Sequence, residues 1–154
     1  MTKRKYKNGD VITLTIDRVI LEEYNKYYFA KYPRRRKEPI DKPTHPSINK
    51  WFVLRRPAMN QMKANWKEFI VWFVENQGLS RLNIKKCSMK FTSYFKTKIR
   101  NDVDNTVPKF ILDGMVEAGL IVDDDYEHLR PLILDCGYDK NNPRTEIEIS
   151  IWEI

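Results

Sequence analysis

With 154 residues, 42% of them hydrophobic, the chain can bury one core and is too apolar for a disordered segment. No apolar run approaches the roughly 18 residues of a membrane span, the longest being "FIVWFV" at 69–74; Cys87 and Cys136 stand far apart without a CxxC pair, and "MTKRKYKNGD" leads into only a short apolar run. A membrane protein and a disulfide scaffold are therefore excluded, and a single soluble unit in a reducing, cytoplasmic setting is expected.

The formal net charge of +7 joins two opposite regions. Residues 1–100 hold 24 Lys plus Arg against 8 Asp plus Glu, a net +16, and residues 101–154 hold 4 against 13, a net −9. A basic region attracts phosphates through counterion release, while an acidic one holds the metal ions that phosphates also bind. The pairing suits an enzyme acting on nucleic acid.

In chain order, "DVITLTI" at 10–16 alternates and is β-branched, so a first strand is expected. From 17 to 45 the chain is tyrosine-rich, basic and broken by prolines, as in "KYPRRRKEP" at 31–39. The pattern predicts an irregular excursion with one short helix at 19–29, and loops of that length tend to be functional or disordered. Arg34, Arg35 and Arg36, followed by Lys50, Arg55 and Arg56, are candidates for tracking DNA backbones, with Tyr32 or Trp51 stacking on opened bases.

Met59, Met62, Trp66, Phe69, Ile70 and Phe73 recur at helical spacing within 56–78, which predicts an amphipathic helix of about 18 residues held to the core by its aromatics. "KKCSMKFTSYF" at 85–95 alternates as a strand does and delivers the chain to "NDVDN" at 101–105. On a continuing strand Asp102 and Asp104 would share one face and repel unless a cation sat between them. In an Asx-rich turn they would bond their own backbone instead.

"VPKFILDGMVEAG" predicts a helix at about 107–118, opened by a proline and closed by a glycine. A short apolar return then reaches Asp123, Asp124 and Asp125, and a helix of that length followed by a return brings this triplet back toward the first pair. The chain closes on two strands, 129–138 and 145–154, joined by the turn-rich "DKNNPR". The predicted fold is an α/β (α+β) single domain over 1–154, with a small mixed β-sheet flanked by helices.

The acidic pattern also selects a metal. A loop beginning at Asp102 has Val107 where an EF-hand requires Gly and Asp113 where it requires Glu. His45, His128 and two scattered cysteines make a poor zinc set, and both histidines read as incidental polar residues. Hard carboxylate oxygens favour Mg²⁺ or Mn²⁺.

The run "DVDNTVPKFILDGMVEAGLIVDDD" at 102–125 resembles the core motif of the RusA-like Holliday junction resolvases: D-x-D-N, a nearby Lys, L-D-A-L, then an apolar return into D-D. Upstream, "HPSINKWFVLRRPAMNQMKANWKE" at 45–68 is similar to that family's P-S-x-N-R-x-W stretch. The resemblance covers most of 45–154. It implies a small mixed α/β subunit that dimerises and a Mg²⁺-dependent endonuclease that cuts branched DNA, four-way junctions in particular. It further implies that Asp102, Asp104 and Asp124 are catalytic metal ligands, that Lys109 is the catalytic lysine, and that Asn49, in "PSINKW", contacts DNA.

Two departures stand out. "DNTVPK" places Lys109 one residue later than the family's D-N-x-x-K, with Pro108 inserted, and the triple "DDD" leaves the register among Asp123, Asp124 and Asp125 open. Lys109 also stands four residues before Asp113, the spacing of a surface ion pair. A non-catalytic DNA-binding module of the same fold is the alternative, and cleavage of a synthetic four-way junction distinguishes the two.

Overall fold

The structure, a computed structural model, describes residues 4–154. Four strands form one sheet: β1 (Val11–Ile16), β2 (Lys86–Phe95), β3 (Leu129–Tyr138) and β4 (Arg144–Glu153), in the order β1-β4-β2-β3. β4 runs antiparallel to both of its neighbours, while β3 runs parallel to β2. Along β1, β2 and β4 every second side chain is buried, including Ile12, Leu14, Met89, Phe91, Ile147 and Ile149. One face of the sheet thus carries the core, and the helices cover it.

The last two strands are not a hairpin. β2 lies between them, so the turn at 139–143 must straddle the end of β2, a gap of roughly 10 Å. Asp139 donates its N–H to the Phe95 carbonyl at 2.9 Å. The Arg144 guanidinium lies 4.0 Å over the Tyr94 ring and binds Asp139 and Glu146 at 2.8 Å each. Alternation in 145–154 reports a buried face and says nothing about which strand sits beside it. β3 is an edge strand with an extra residue opposite the Cys87–Met89 step, where Pro131 sits; an edge accepts both a bulge and a missing N–H.

The basic excursion is more ordered than its composition suggests. α1 spans Arg18–Lys31, 14 residues, opened by Asp17, whose carboxylate accepts the Ile20 N–H at 3.0 Å. Its buried face joins Leu21 to two tyrosines, Tyr24 and Tyr28: Tyr24 packs 5.0 Å from Phe69 and 5.1 Å from Trp72 of α3 (Arg56–Asn76). Irregular chain begins only after Tyr32, and a single turn, α2 (Ile48–Trp51), precedes α3.

The parallel step from β2 to β3 carries both acidic stretches: a 3₁₀ turn (Val103–Thr106), then α4 (Lys109–Glu117), then the return. α4 lies so close to α3 that a Cβ on Gly114 would sit 2.5 Å from the Ile70 Cβ, so the crossing requires glycine there. After Gly119 (φ 71°), Ile84 and Ile121 pair as a bridge, which ties the return to the approach to β2.

Candidate active site

Asp102 and Asp104 follow β2 but do not continue it. Asp102 is extended (φ −82°, ψ 134°) and opens the 3₁₀ turn that contains Asp104. Its carbonyl accepts the Asn105 N–H at 3.0 Å, and the Thr106 hydroxyl donates to the Val103 carbonyl at 2.6 Å. Of the two arrangements open in the sequence, a shared strand face or a turn, the structure has the turn. The chain has to reverse here to enter α4, and at three residues per turn side chains two apart diverge. Both aspartates are exposed. Asp102 lies 3.6 Å from Arg100, its side chain 60% exposed.

Lys109 opens α4, and its Nζ donates to Asp113 Oδ1 at 3.0 Å. That bond, one helical turn along, raises the lysine pKa, with the Asp113 and Asp124 charges acting in the same direction. Asp124 is raised above the ordinary carboxylate range, chiefly by burial, against which the Lys109 charge pulls it down. Its N–H is held by Asp123 Oδ1 at 2.7 Å. The charges of Lys109 and Asp113 thus reach Asp124, which is a different matter from the triplet returning beside Asp102 and Asp104.

A tighter group lies just beyond. Ligand atoms of Asp123, Asp125 and His128 fall within 4.8 Å of one another, and among the described residues no set containing Asp102, Asp104 and Asp124 does so. His128 Nδ1 lies 2.5 Å from Asp125 Oδ1, which also accepts the N–H groups of Glu127 (3.2 Å) and His128 (3.1 Å). The shared bond raises the imidazole pKa and lowers the carboxyl. His128 is thus an ordered partner rather than an incidental residue, and the signal for it was the D-x-x-H spacing from Asp125.

The basic candidates divide. Arg35, Arg36 and Lys50 line one cleft of about 700 Å³ between the 35–41 segment and the first half of α3. Arg34, Asn49, Arg55 and Arg56 are exposed outside that lining. Arg35 stacks 3.9 Å over Tyr32 and donates to the Tyr28 hydroxyl at 2.9 Å, while the Tyr32 hydroxyl donates to Glu68 at 2.9 Å. One face of the Tyr32 ring is therefore covered by the Arg35 guanidinium. Trp51 is turned inward, 5.2 Å from Phe110, with its indole N–H buried and unpartnered among the described residues. α2, which carries Asn49 and Lys50, lies against the 3₁₀ turn of Asp104.

Compared with protein families, residues 3–150 match the model described as "Endodeoxyribonuclease RusA". The chain belongs to the RusA endodeoxyribonuclease family. No curated protein matches it.

RusA membership makes the class of activity that of an endodeoxyribonuclease, with Holliday junction resolution as the family's activity. It also gives meaning to the lengthened "DNTVPK". Pro108 (φ −87°, ψ 56°) stands immediately outside α4, and its carbonyl accepts the Leu112 N–H at 3.0 Å. The added residue is absorbed before the helix, so Lys109 stays on the first turn facing Asp113. The cluster of Asp123, Asp125 and His128 is compatible with a metal ion in its donor atoms. Among the described residues no helix is long and apolar enough to cross a membrane.

Proposed function

We propose that this chain is a catalytically active, Mg²⁺-dependent Holliday junction resolvase working as a cytoplasmic homodimer, with Mn²⁺ as an alternative ion. Asp102, Asp104 and Asp124 hold the metal. Lys109 steadies the scissile phosphate, and Arg34, Arg35, Arg36, Asn49, Lys50, Arg55 and Arg56 contact the DNA. The observation that carries the reading is the family match over residues 3–150, supported by Lys109 held to Asp113 at 3.0 Å on the first turn of α4 and by a part-buried Asp124 at the end of the return. Burial there opposes a bare carboxylate, and one lysine only partly offsets it, which favours a further positive charge at that point.

When bound, the cation supplies Lewis acidity for phosphodiester hydrolysis. The aspartates orient it. Lys109 presents a point charge toward the phosphate, and Asp113 keeps that amine protonated and aimed. Incubation of the purified protein with a synthetic four-way junction and Mg²⁺, against a chelator control, tests the reading. Asp102→Asn, Asp104→Asn and Asp124→Asn should each abolish cutting while junction binding survives, because each swap removes a charge at nearly constant volume. Asp123→Asn and Asp125→Asn serve as register controls, and near-normal cutting by any of the first three variants removes that residue from the ligand set.

One observation favours a second reading: Asp102 and Asp104 stand exposed and do not gather with Asp124 into a compact set. As a non-catalytic DNA-binding module of the same fold, the chain would bind DNA and leave a four-way junction intact under every metal condition.

A further inference from the structure

His45 is only 6% exposed, and a buried polar ring persists where its hydrogen-bonding capacity is used. Both nitrogens are used. Nε2 lies 3.0 Å from the backbone nitrogen of Phe110, a group that only donates, so Nε2 is the unprotonated acceptor. Nδ1 then carries the proton and donates to the Pro46 carbonyl at 2.7 Å, which fixes the tautomer. Trp66 and Phe110 flank the ring at 5.5 and 5.0 Å. Burial pushes its pKa down to about 4, with Asp113 the charged group that opposes the shift, so the ring is neutral near pH 7.

This hydrogen bond supplies what the local sequence lacks. The first N–H groups of a helix have no partner inside it, and a Ser, Thr, Asp or Asn side chain usually provides one. α4 begins after Pro108, whose ring has nothing to accept with. The Lys109 N–H reaches the Val107 carbonyl at 3.0 Å. The Phe110 N–H is taken by His45, 65 positions upstream.

We propose that His45 is a positioning residue for Lys109: its neutral imidazole caps the first turn of α4 through the Phe110 N–H and so holds the lysine backbone in the place from which Nζ meets the phosphate. The inference rests on the role given to Lys109 above. Asp113 orients the far end of the lysine and His45 secures the near end, one residue from its Cα. Reactive groups displaced by about 1 Å lose up to two orders of magnitude in rate.

The test uses the full chain, a four-way junction and Mg²⁺. His45→Phe keeps a flat ring between Trp66 and Phe110 but deletes the acceptor, whereas His45→Gln offers an amide oxygen at similar reach. His45→Phe should lower kcat on the order of tenfold with KM within about twofold, and His45→Gln should recover most of it. Combined with Lys109→Ala, His45→Phe should cost nothing further, because it acts through the lysine. Equal proportional losses in both backgrounds, or a glutamine no better than phenylalanine, overturn the proposal. Should His45→Phe fail to fold, nitrogen-15 NMR of the unmodified protein decides. At pH 7 the ring should show a protonated Nδ1 and a bare Nε2, with the Phe110 amide protected from exchange, and a protonated Nε2 overturns the proposal. A wild-type protein that cuts no junction defeats the resolvase reading instead, and the NMR result still decides the cap.

Discussion

His45 and Lys109 meet at the first turn of α4 with opposite electrostatic histories. The lysine gains proton affinity from Asp113, and the histidine loses it through burial. The histidine's loss has a sign that can be measured. Its folded pKa is depressed from 6.5 to about 4, so between those values the unfolded chain binds the proton more readily. The stability this site contributes is present in full above pH 6.5 and falls away as pH drops toward 4, by about 3 kcal/mol in all. Denaturant unfolding from pH 7.5 to 4 should show the wild-type chain losing stability more steeply than His45→Gln by that amount, and parallel curves would mean that His45 is solvated. The difference between the two proteins isolates the histidine from the many carboxylates that titrate in the same range.

Among the elements, the α3–α4 crossing governs where the crossover places its side chains. Gly114 has no room for a Cβ, with the Ile70 Cβ and Cγ2 at 2.5 and 2.7 Å from its ideal position. Ile70 is fully buried and β-branched, so it cannot swing aside. Gly114→Ala should therefore destabilise the protein by roughly 1–3 kcal/mol despite alanine's better helix propensity. Thermal unfolding measures this, and a stability gain would show that α4 slides at little cost. Because Asp113 and Lys109 ride on the same helix, such a slide would appear in the cleavage rate as well. α1 shows the same dependence on packing: Tyr24 and Tyr28 set the helix expected at 19–29 against the aromatics of α3 and extend it to Arg18–Lys31.

For the molecule as a whole, basic and acidic regions adjoin through α2, which joins the cleft of Arg35, Arg36 and Lys50 to the 3₁₀ turn of Asp104. Replacing Arg34, Arg35 and Arg36 with Ala should weaken junction binding and flatten the slope of log K against log salt by up to roughly 0.9 for each duplex-arm phosphate that is no longer neutralised. Turnover at saturating DNA should hardly change. Arg35 has a second duty against Tyr28 and Tyr32, so Arg34→Ala with Arg36→Ala is the cleaner pair, and an unchanged slope would leave them as solvated surface. A junction offers two related strands for cutting, and a twofold dimer matches that symmetry. Sedimentation at micromolar concentration should therefore give about twice the 18.5 kDa chain mass, whereas a stable monomer would argue against paired incision.

By itself the sequence determined what depends on neighbours along the chain. Alternation in "EIEISIWE" sets a strand with one buried face, the Met59 to Phe73 periodicity sets α3, and D-x-D-N followed by an apolar return into D-D is a pattern held within 24 residues. Tertiary structure decided what depends on partners far away. Pattern could not reveal that β2 slips between the last two strands, because period-two alternation is the same whichever strand lies beside it. It offered both a strand face and a turn for Asp102 and Asp104 and could not choose between them, since the reversal is imposed by where α4 has to pack. Nor could it raise His45 above an incidental polar residue: the N–H that it caps lies 65 positions along the chain, and only folding brings a donor and an acceptor together across that distance.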